Sequence, residues 1–221
     1  MITLAIDAST YVGTVALLQD ERVVAELSVA MKDAQHERLM PTVAAVLSHA
    51  ERTVGELDRI VCGGGPGSFT SLRIAGGIAK GLAAGAGLPL YAVPSLALIV
   101  AGMSLPVGRY LAALDALRGE YYVALYHASP ASGVIELEQA TVVSADEVAP
   151  LAERSGARVV SPTLFDDGVQ AGPKASGVAR LSQLVDAAGP VDLDSWEPAY
   201  GRLAEAQVKW ESLHGRPLPV G

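Results

Sequence analysis

The sequence predicts a layered α/β fold, in which strands form the inner layer and helices pack outside them. Three short apolar segments near the N-terminus, 2–7, 13–19 and 22–29, are separated only by tight turns, which is typical of an antiparallel meander. The hydrophobic period then lengthens to that of a helix. From residue 57 onward, apolar segments of strand length alternate with segments of helix length, which is typical of an α/β layer.

The first predicted helix follows this meander. Its apolar residues fall on about a third of a helical wheel, as a helix packed on a sheet requires. Pro41 either kinks this helix early or marks its start, because proline is tolerated only in the first turn. The apolar stripe consists of Leu39, Met40, Val43, Val46, Leu47 and Ala50.

The most unusual segment is a glycine-rich loop after the next strand. Residues 57–65 read as a strand that enters this loop, and a helix follows to about Gly85. Ser68, Thr70 and Ser71 are candidate N-caps of that helix. A short strand, 88–93, and a helix that opens at Ser95 complete an N-terminal lobe, for which we predict the bounds 1–107.

A second lobe, 108–221, begins with a strand that ends at Asp115 and turns at Gly119 into the strand 121–127. Beyond it we predict a helix over 144–156, a strand over 157–162 and a helix over 176–189. The segment 196–211 is compatible with either an exposed loop or a docked helix.

Composition narrows the class of function. Half of the residues are apolar and the formal net charge is −8, so extensive nucleic-acid contact by this chain alone is not expected. The uncharged stretch between Lys80 and Arg109 is interrupted by glycines and prolines, and the N-terminus lacks the basic region of a signal peptide. We therefore expect a soluble, cytoplasmic protein. The single cysteine, Cys62, is expected to be a buried, inert thiol.

The glycine loop resembles a phosphate cradle without matching a known one. A P-loop would have Lys and Ser or Thr after Gly67, and a dinucleotide fingerprint would have a third glycine at Ser68. Two interpretations remain: a structural turn, or a helix N-terminus that holds an anion. Asp7, at the end of the first strand, is likewise either a Mg²⁺ ligand or a turn cap that bonds Ser9 or Thr10.

Metal and nucleophile motifs are not found. His36, His49, His127 and His214 are too scattered for a ligand pair, and no GxSxG motif occurs. No metal or cofactor is therefore expected.

Several motifs, in one order along nearly the whole chain, resemble the bacterial TsaB (YeaZ) family. The GPGSFT block at 65–70 is the most specific of them. Two departures occur: Ser71 stands where the family has glycine, and Gly201 where it has leucine. The motifs are "LAIDAST…GTVAL", "QHERLMPTV", "GGGPGSFTSLRIAGGIAKGLA", "LPLYAVPSLALI", "LDALRGEYYVALY" and "PAYGRLAEAQ".

The resemblance implies an actin/hexokinase-like (ASKHA) two-lobed fold with mixed sheets flanked by helices. It implies a partner, TsaD, and the ATPase TsaE in a ternary complex that places N6-threonylcarbamoyl on adenosine 37 of ANN-decoding tRNAs. TsaD-type proteins carry an HxxxH metal pair where this chain has Ser95 and Ile99, which cannot hold a transition metal. The chain is thus expected to be a non-catalytic scaffold or activator subunit without its own active site.

Two helix faces are the expected partner interface. The first helix presents small residues outward, namely Pro41, Ala44, Ala45 and Ser48, and the second carries Gly77, Gly81 and Gly85 four residues apart. Packing within the chain is the alternative explanation for the glycines. The resemblance implies docking of these helices on TsaD, or on a second copy when TsaD is absent; tRNA would be bound only indirectly.

A different class of function stays open. A nucleotide-dependent phosphotransferase or a peptidase-like hydrolase of the same superfamily would use the remnants of a nucleotide site. Those remnants are Asp7, Ser9, Gly67 and Ser68.

Overall fold

The computed structural model describes residues 1–32, 37–104 and 106–201. Its N-terminal half is built on a five-stranded mixed sheet in the order β3-β2-β1-β4-β5. The first three strands are antiparallel neighbours, and β4 and β5 run parallel to β1, so the predicted meander is confirmed. The strands are β1 (Ile2–Asp7), β2 (Val12–Gln19), β3 (Arg22–Ala30), β4 (Arg59–Gly63) and β5 (Leu90–Val93).

Three helices accompany this sheet: α1 (Leu39–His49), α2 (Phe69–Ala86) and α3 (Ser95–Ala101). Glu37 caps α1, since its carboxylate accepts the backbone N–H groups of Leu39 and Met40. The helix α2 ends where Gly87 adopts a left-handed conformation, at φ 67°.

The predicted apolar stripe of α1 is correct with one exception. Leu39, Val43, Val46 and Leu47 are buried against the sheet, whereas Met40 is 39% exposed. Met40 is about 100° from Leu39 around the helix. It therefore lies at the edge of the stripe, on the side of the helix that is open to solvent.

The second sheet repeats the topology of the first. Its order, β10-β9-β6-β7-β8, read from the other end is an antiparallel meander followed by two parallel strands. The predicted strands ending at Asp115 and covering 121–127 are present. The strands are β6 (Gly108–Asp115), β7 (Glu120–Ser129), β8 (Gly133–Ser144), β9 (Ala157–Ser161) and β10 (Val169–Gln170).

The helices of this half differ from the prediction at one place. The helix α4 (Ala145–Arg154) is confirmed, but the helix expected over 176–189 is divided. A 3₁₀ segment, Ala175–Arg180, precedes α5 (Ser182–Ala188), and Leu181 between them is fully buried. Seating Leu181 in the core interrupts the regular α-helical path.

One apolar core joins the two sheets. The helix α3 is buried along its whole length, and its cluster includes residues of the first sheet, such as Leu18 and Val61, and of the second, such as Tyr110 and Tyr126. Residues after α5 return to the first sheet, where the Val191 N–H donates to the Leu90 carbonyl (2.8 Å). Among the described residues, no helix is long and apolar enough to cross a bilayer.

Candidate functional site

The candidate site lies at the carboxyl edge of the parallel strands β1, β4 and β5. Because these strands run in the same direction, Asp7, the glycine loop and Ser95 follow their ends at one edge of the sheet. This is the edge at which open α/β sheets bind ligands. The structure therefore brings together residues that are far apart in sequence.

Asp7 is fully buried, and both of its carboxylate oxygens accept hydrogen bonds. Oδ1 accepts from the backbone N–H (3.1 Å) and the hydroxyl (2.9 Å) of Ser9, and Oδ2 accepts from the Ser95 hydroxyl (2.7 Å). Burial raises the pKa of Asp7 above its ordinary value, and these hydrogen bonds oppose the rise. The turn-capping interpretation through Ser9 matches this geometry, since the carboxylate is enclosed by the chain itself.

The glycines of the loop are required by close packing within the chain. A Cβ at Gly63 would lie 1.9 Å from the Asp7 Oδ2 atom, and one at Gly67 would lie 2.1 Å from the Ser9 carbonyl oxygen. Gly65 has a φ of +92°, and a Cβ at this position would lie 2.3 Å from the Ala199 carbonyl oxygen. Only glycine fits at these positions, whether or not a phosphate binds nearby.

Three backbone N–H groups of the loop are also bonded within the chain. The N–H of Gly64 donates to the Val93 carbonyl (2.8 Å), that of Gly65 to the Ser95 hydroxyl (3.0 Å), and that of Ser68 to the Ser9 carbonyl (2.7 Å). A phosphate cradle needs such groups directed at the ligand. The loop is consequently tied to its neighbours at the positions where a cradle would bind.

The positions that correspond to the metal pair have other roles. Ser95 bridges Asp7 and Gly65, and Ile99, one helical turn later, is fully buried in apolar surroundings. Within the described ranges, no group of three or more His, Cys, Asp or Glu side chains is placed to hold a metal ion. His36 and His214 lie outside those ranges.

Cys62 is buried in β4, as predicted. Burial, with a smaller contribution from the nearby Asp7 charge, raises its pKa well above the ordinary value, so the thiol stays protonated and unreactive at neutral pH.

A cleft of about 700 Å³ lies beside the loop, with walls from both halves of the chain. Ser9, Gly67 and Ser68 line it, whereas Asp7 does not. Other lining residues had not been predicted: Phe69 directly follows Ser68, whereas Arg118 and Tyr200 come from distant segments of the chain. The sequence contains one indication of the cleft wall that includes Arg118, namely the short turn "LRGE". In the structure, Leu117, Arg118 and Gly119 of this turn all have positive φ (64°, 59° and 77°).

The predicted partner faces are accessible. On α1, Pro41, Ala44 and Ser48 are exposed and Ala45 is half-buried. On α2, all three glycines are exposed, and a Cβ at Gly77, Gly81 or Gly85 would meet no atom of the described residues within 4 Å. Among the described residues, no atom packs against these glycines, and their role in a partner interface stays a prediction.

Sequence comparisons agree with this architecture. The family model described as "TsaD: tRNA N6-adenosine threonylcarbamoyltransferase" matches residues 29–156. A Bacillus subtilis "tRNA threonylcarbamoyladenosine biosynthesis protein TsaB" is 32% identical over 95% of this chain and 98% of its own. The Escherichia coli protein with the same description is 39% identical over 57% of this chain and 55% of its own.

A structural comparison extends the similarity to the whole fold. A Pseudomonas aeruginosa structure described as YeaZ superimposes with a TM-score of 0.73 and 26% identity, covering 90% of this chain and 99% of that one. The repeated sheet topology is that of the two-lobed ASKHA class, with mixed sheets flanked by helices. The chain belongs to the TsaB (YeaZ) family and takes part in tRNA threonylcarbamoyladenosine biosynthesis.

Proposed function

We propose that this chain is a non-catalytic scaffold and activator subunit, which binds a TsaD-family partner that carries out the threonylcarbamoyl transfer to tRNA. The observation that carries the proposal is the enclosed state of Asp7. Its carboxylate is fully buried and hydrogen-bonded to Ser9 and Ser95, so neither oxygen is accessible to Mg²⁺ or a substrate from solvent. A chain with this arrangement contributes to the reaction through contacts with a partner.

The partner surface is assigned to the outer faces of α1 and α2. Small side chains let a second helix approach closely, and these faces are accessible: Ala44 and the three glycines are exposed, and Ala45 is half-buried. A helix-interior glycine costs about 1 kcal/mol relative to alanine. Three such glycines with open space around them fit a surface that another backbone covers in the complex. A second copy of this chain would use the same faces when the partner is absent.

The substitution Ala45→Arg tests this surface. A side chain of this size at the centre of a helix interface should cost about 2 kcal/mol or more in binding, which is roughly 30-fold in Kd. Binding to the purified TsaD-family partner is measured by calorimetry, and folding by thermal melting, which should shift only slightly. Ala149→Arg, at an exposed alanine of α4 in the other half, is the matched control. Unchanged partner binding by a normally melting Ala45→Arg variant would place the interface elsewhere.

The tRNA is expected to be bound only indirectly, in a complex that also contains the TsaE-type ATPase. The chain's net charge of −8 opposes binding to a polyanion. Filter binding should show no tRNA retention by the chain alone at physiological salt, and retention once the partner is added. Tight, salt-sensitive tRNA binding by the isolated chain would argue against this arrangement.

The cleft favours one alternative, a nucleotide-dependent phosphotransferase or a peptidase-like hydrolase. Its volume of about 700 Å³ is sufficient for a small-molecule ligand. Calorimetric titration of the isolated chain with ATP and Mg²⁺ separates the scaffold from the phosphotransferase. A scaffold gives no stoichiometric binding, whereas a phosphotransferase binds and hydrolyses or transfers phosphate.

A further inference from the structure

The last described residues, 196–201, form a strap that crosses α2. The Lys80 ammonium donates to the Trp196 carbonyl (3.0 Å). Pro198 packs over Gly76, where a Cβ would lie 2.9 Å from the proline Cγ atom. The other nearest atoms at Gly76 also belong to the strap, including the Trp196 ring at 3.6 Å. Gly76 is therefore a glycine that makes room for the strap.

The same strap is bonded to the glycine loop. The Ala199 N–H donates to the Gly64 carbonyl (2.7 Å), and the Ala199 carbonyl lies against Gly65. The Tyr200 ring contacts the Phe69 ring at the start of α2, with 4.6 Å between ring centroids. The strap thus holds the loop and the first two turns of α2 to each other.

The strap lies next to the exposed glycines of α2. Successive helical residues are about 100° apart, so Gly77 and Gly81 lie about 100° further around the helix than Gly76 and Lys80. On the other side of the glycines, the half-buried Ile78 packs into the core cluster that α1 shares. The strap therefore borders the glycine face opposite the α1 side.

We propose that the strap is a positioning element for partner binding, because it forms one border of the glycine face of α2 and fixes the start of that helix. This inference rests on the proposed function, in which a TsaD-family partner covers the outer faces of α1 and α2. Releasing the strap should weaken partner binding without altering the exposed residues of those faces.

Two variants release the strap by different means. Gly76→Val places a side chain where Pro198 and Trp196 lie. Ala199→Pro removes the N–H that bonds Gly64. Ala199→Ser is the matched control, since it changes the same exposed side chain but keeps the N–H. Neither position lies among the exposed residues of the proposed partner surface.

The chain has two tryptophans, so strap docking can be measured directly. In a Trp210→Phe background, emission comes from Trp196, which is half-buried in the strap. Release exposes this ring to water and shifts its emission to longer wavelength. Circular dichroism monitors the fold, and calorimetry gives the Kd for the TsaD-family partner.

Both releasing variants should shift the Trp196 emission and raise the Kd about tenfold or more. A rise of this size is expected when the strap is docked, and the chain competent to bind, in less than about a tenth of the molecules. Ala199→Ser should do neither. The inference is overturned if the emission shifts while the Kd stays that of the wild type, or if neither variant shifts the emission. If Gly76→Val does not fold, Ala199→Pro and its control decide. A wild-type chain that does not bind the partner would instead contradict the proposed function.

Discussion

At the scale of single residues, Asp7 lies at the ligand-binding edge of the first sheet but is enclosed by the chain itself. Carboxylates at this edge of a sheet are suited to binding a metal or a substrate only when at least one oxygen is accessible. Here the side chain is fully buried, and Gly63 leaves room for it because any Cβ there would overlap Oδ2. The serine at 95, in the place of a metal ligand, completes the enclosure.

The raised pKa of Asp7 gives a pH-dependent prediction. The folded protein holds this proton more tightly than the unfolded chain does. The free energy of unfolding therefore falls as pH rises from the ordinary aspartate value of 3.8 toward the raised folded pKa. Asparagine does not titrate, so Asp7→Asn does not lose stability in this way. The stability of the variant relative to the wild type should therefore increase with pH above about 4. Urea unfolding at several pH values from 4 to 7 measures this difference.

Asp192→Asn is a control in which the pH dependence of stability should have the opposite sign. Hydrogen bonds from the Ser195 hydroxyl and the Asp194 N–H lower the pKa of the exposed Asp192, so its contribution to stability is present above the ordinary value and lost in acid. The Asp192→Asn variant should therefore become slightly less stable relative to the wild type as pH rises toward the ordinary value of 3.8, with little further change between about pH 4 and 7. A pH-independent difference for Asp7→Asn would contradict the assignment of a buried, destabilised carboxylate.

At the scale of elements, α2 combines two kinds of glycine. Gly76 makes room for the strap, whereas Gly77, Gly81 and Gly85 have no close neighbour among the described residues. In a helix of a chain that acts alone, the exposed glycines would only reduce stability. Their presence is accounted for when the exposed face of α2 is covered by another chain.

Gly81→Ala tests this account of α2. Because a Cβ at Gly81 would meet nothing within 4 Å, the substitution should stabilise the isolated chain by about 1 kcal/mol, the helix-propensity difference. Urea unfolding measures the gain, and the same variant should bind the TsaD-family partner more weakly. Gly76→Ala is the neighbouring control and should give no such gain, since its Cβ meets Pro198. A destabilised Gly81→Ala variant would mean that this face packs within the chain.

The elements that the sequence analysis predicted are those with a strong local signal. The first sheet, α1, α2 and α4 follow from apolar periodicity and turn residues. The strand β8 was missed because most of its residues are at least partly exposed, so its pattern does not alternate clearly. The contact of Ser95 with Asp7 joins residues 88 positions apart, and the strap contacts are similarly distant. Such contacts depend on the assembled sheet and leave no local pattern.

At the scale of the whole molecule, the two halves share topology and core. The buried helix α3 packs with residues of both sheets, and residues near 190 return to the first sheet. The division into lobes 1–107 and 108–221 stays a prediction, because the core and the C-terminal residues connect them. A continuous core of this kind suits a subunit that presents one rigid surface, such as the faces of α1 and α2, to a partner.

In the proposed function, this chain supports tRNA threonylcarbamoyladenosine formation by binding a partner and contributes no catalytic group. The most direct measurement is the rate of this modification in a reconstituted reaction with the TsaD-family partner, the TsaE-type ATPase and an ANN-decoding tRNA. Asp7→Asn should support the wild-type rate, whereas Ala45→Arg should reduce it sharply at limiting concentrations of the chain. Loss of modification with Asp7→Asn, while partner binding and folding are unchanged, would show that the chain contributes chemistry of its own and would contradict the claim.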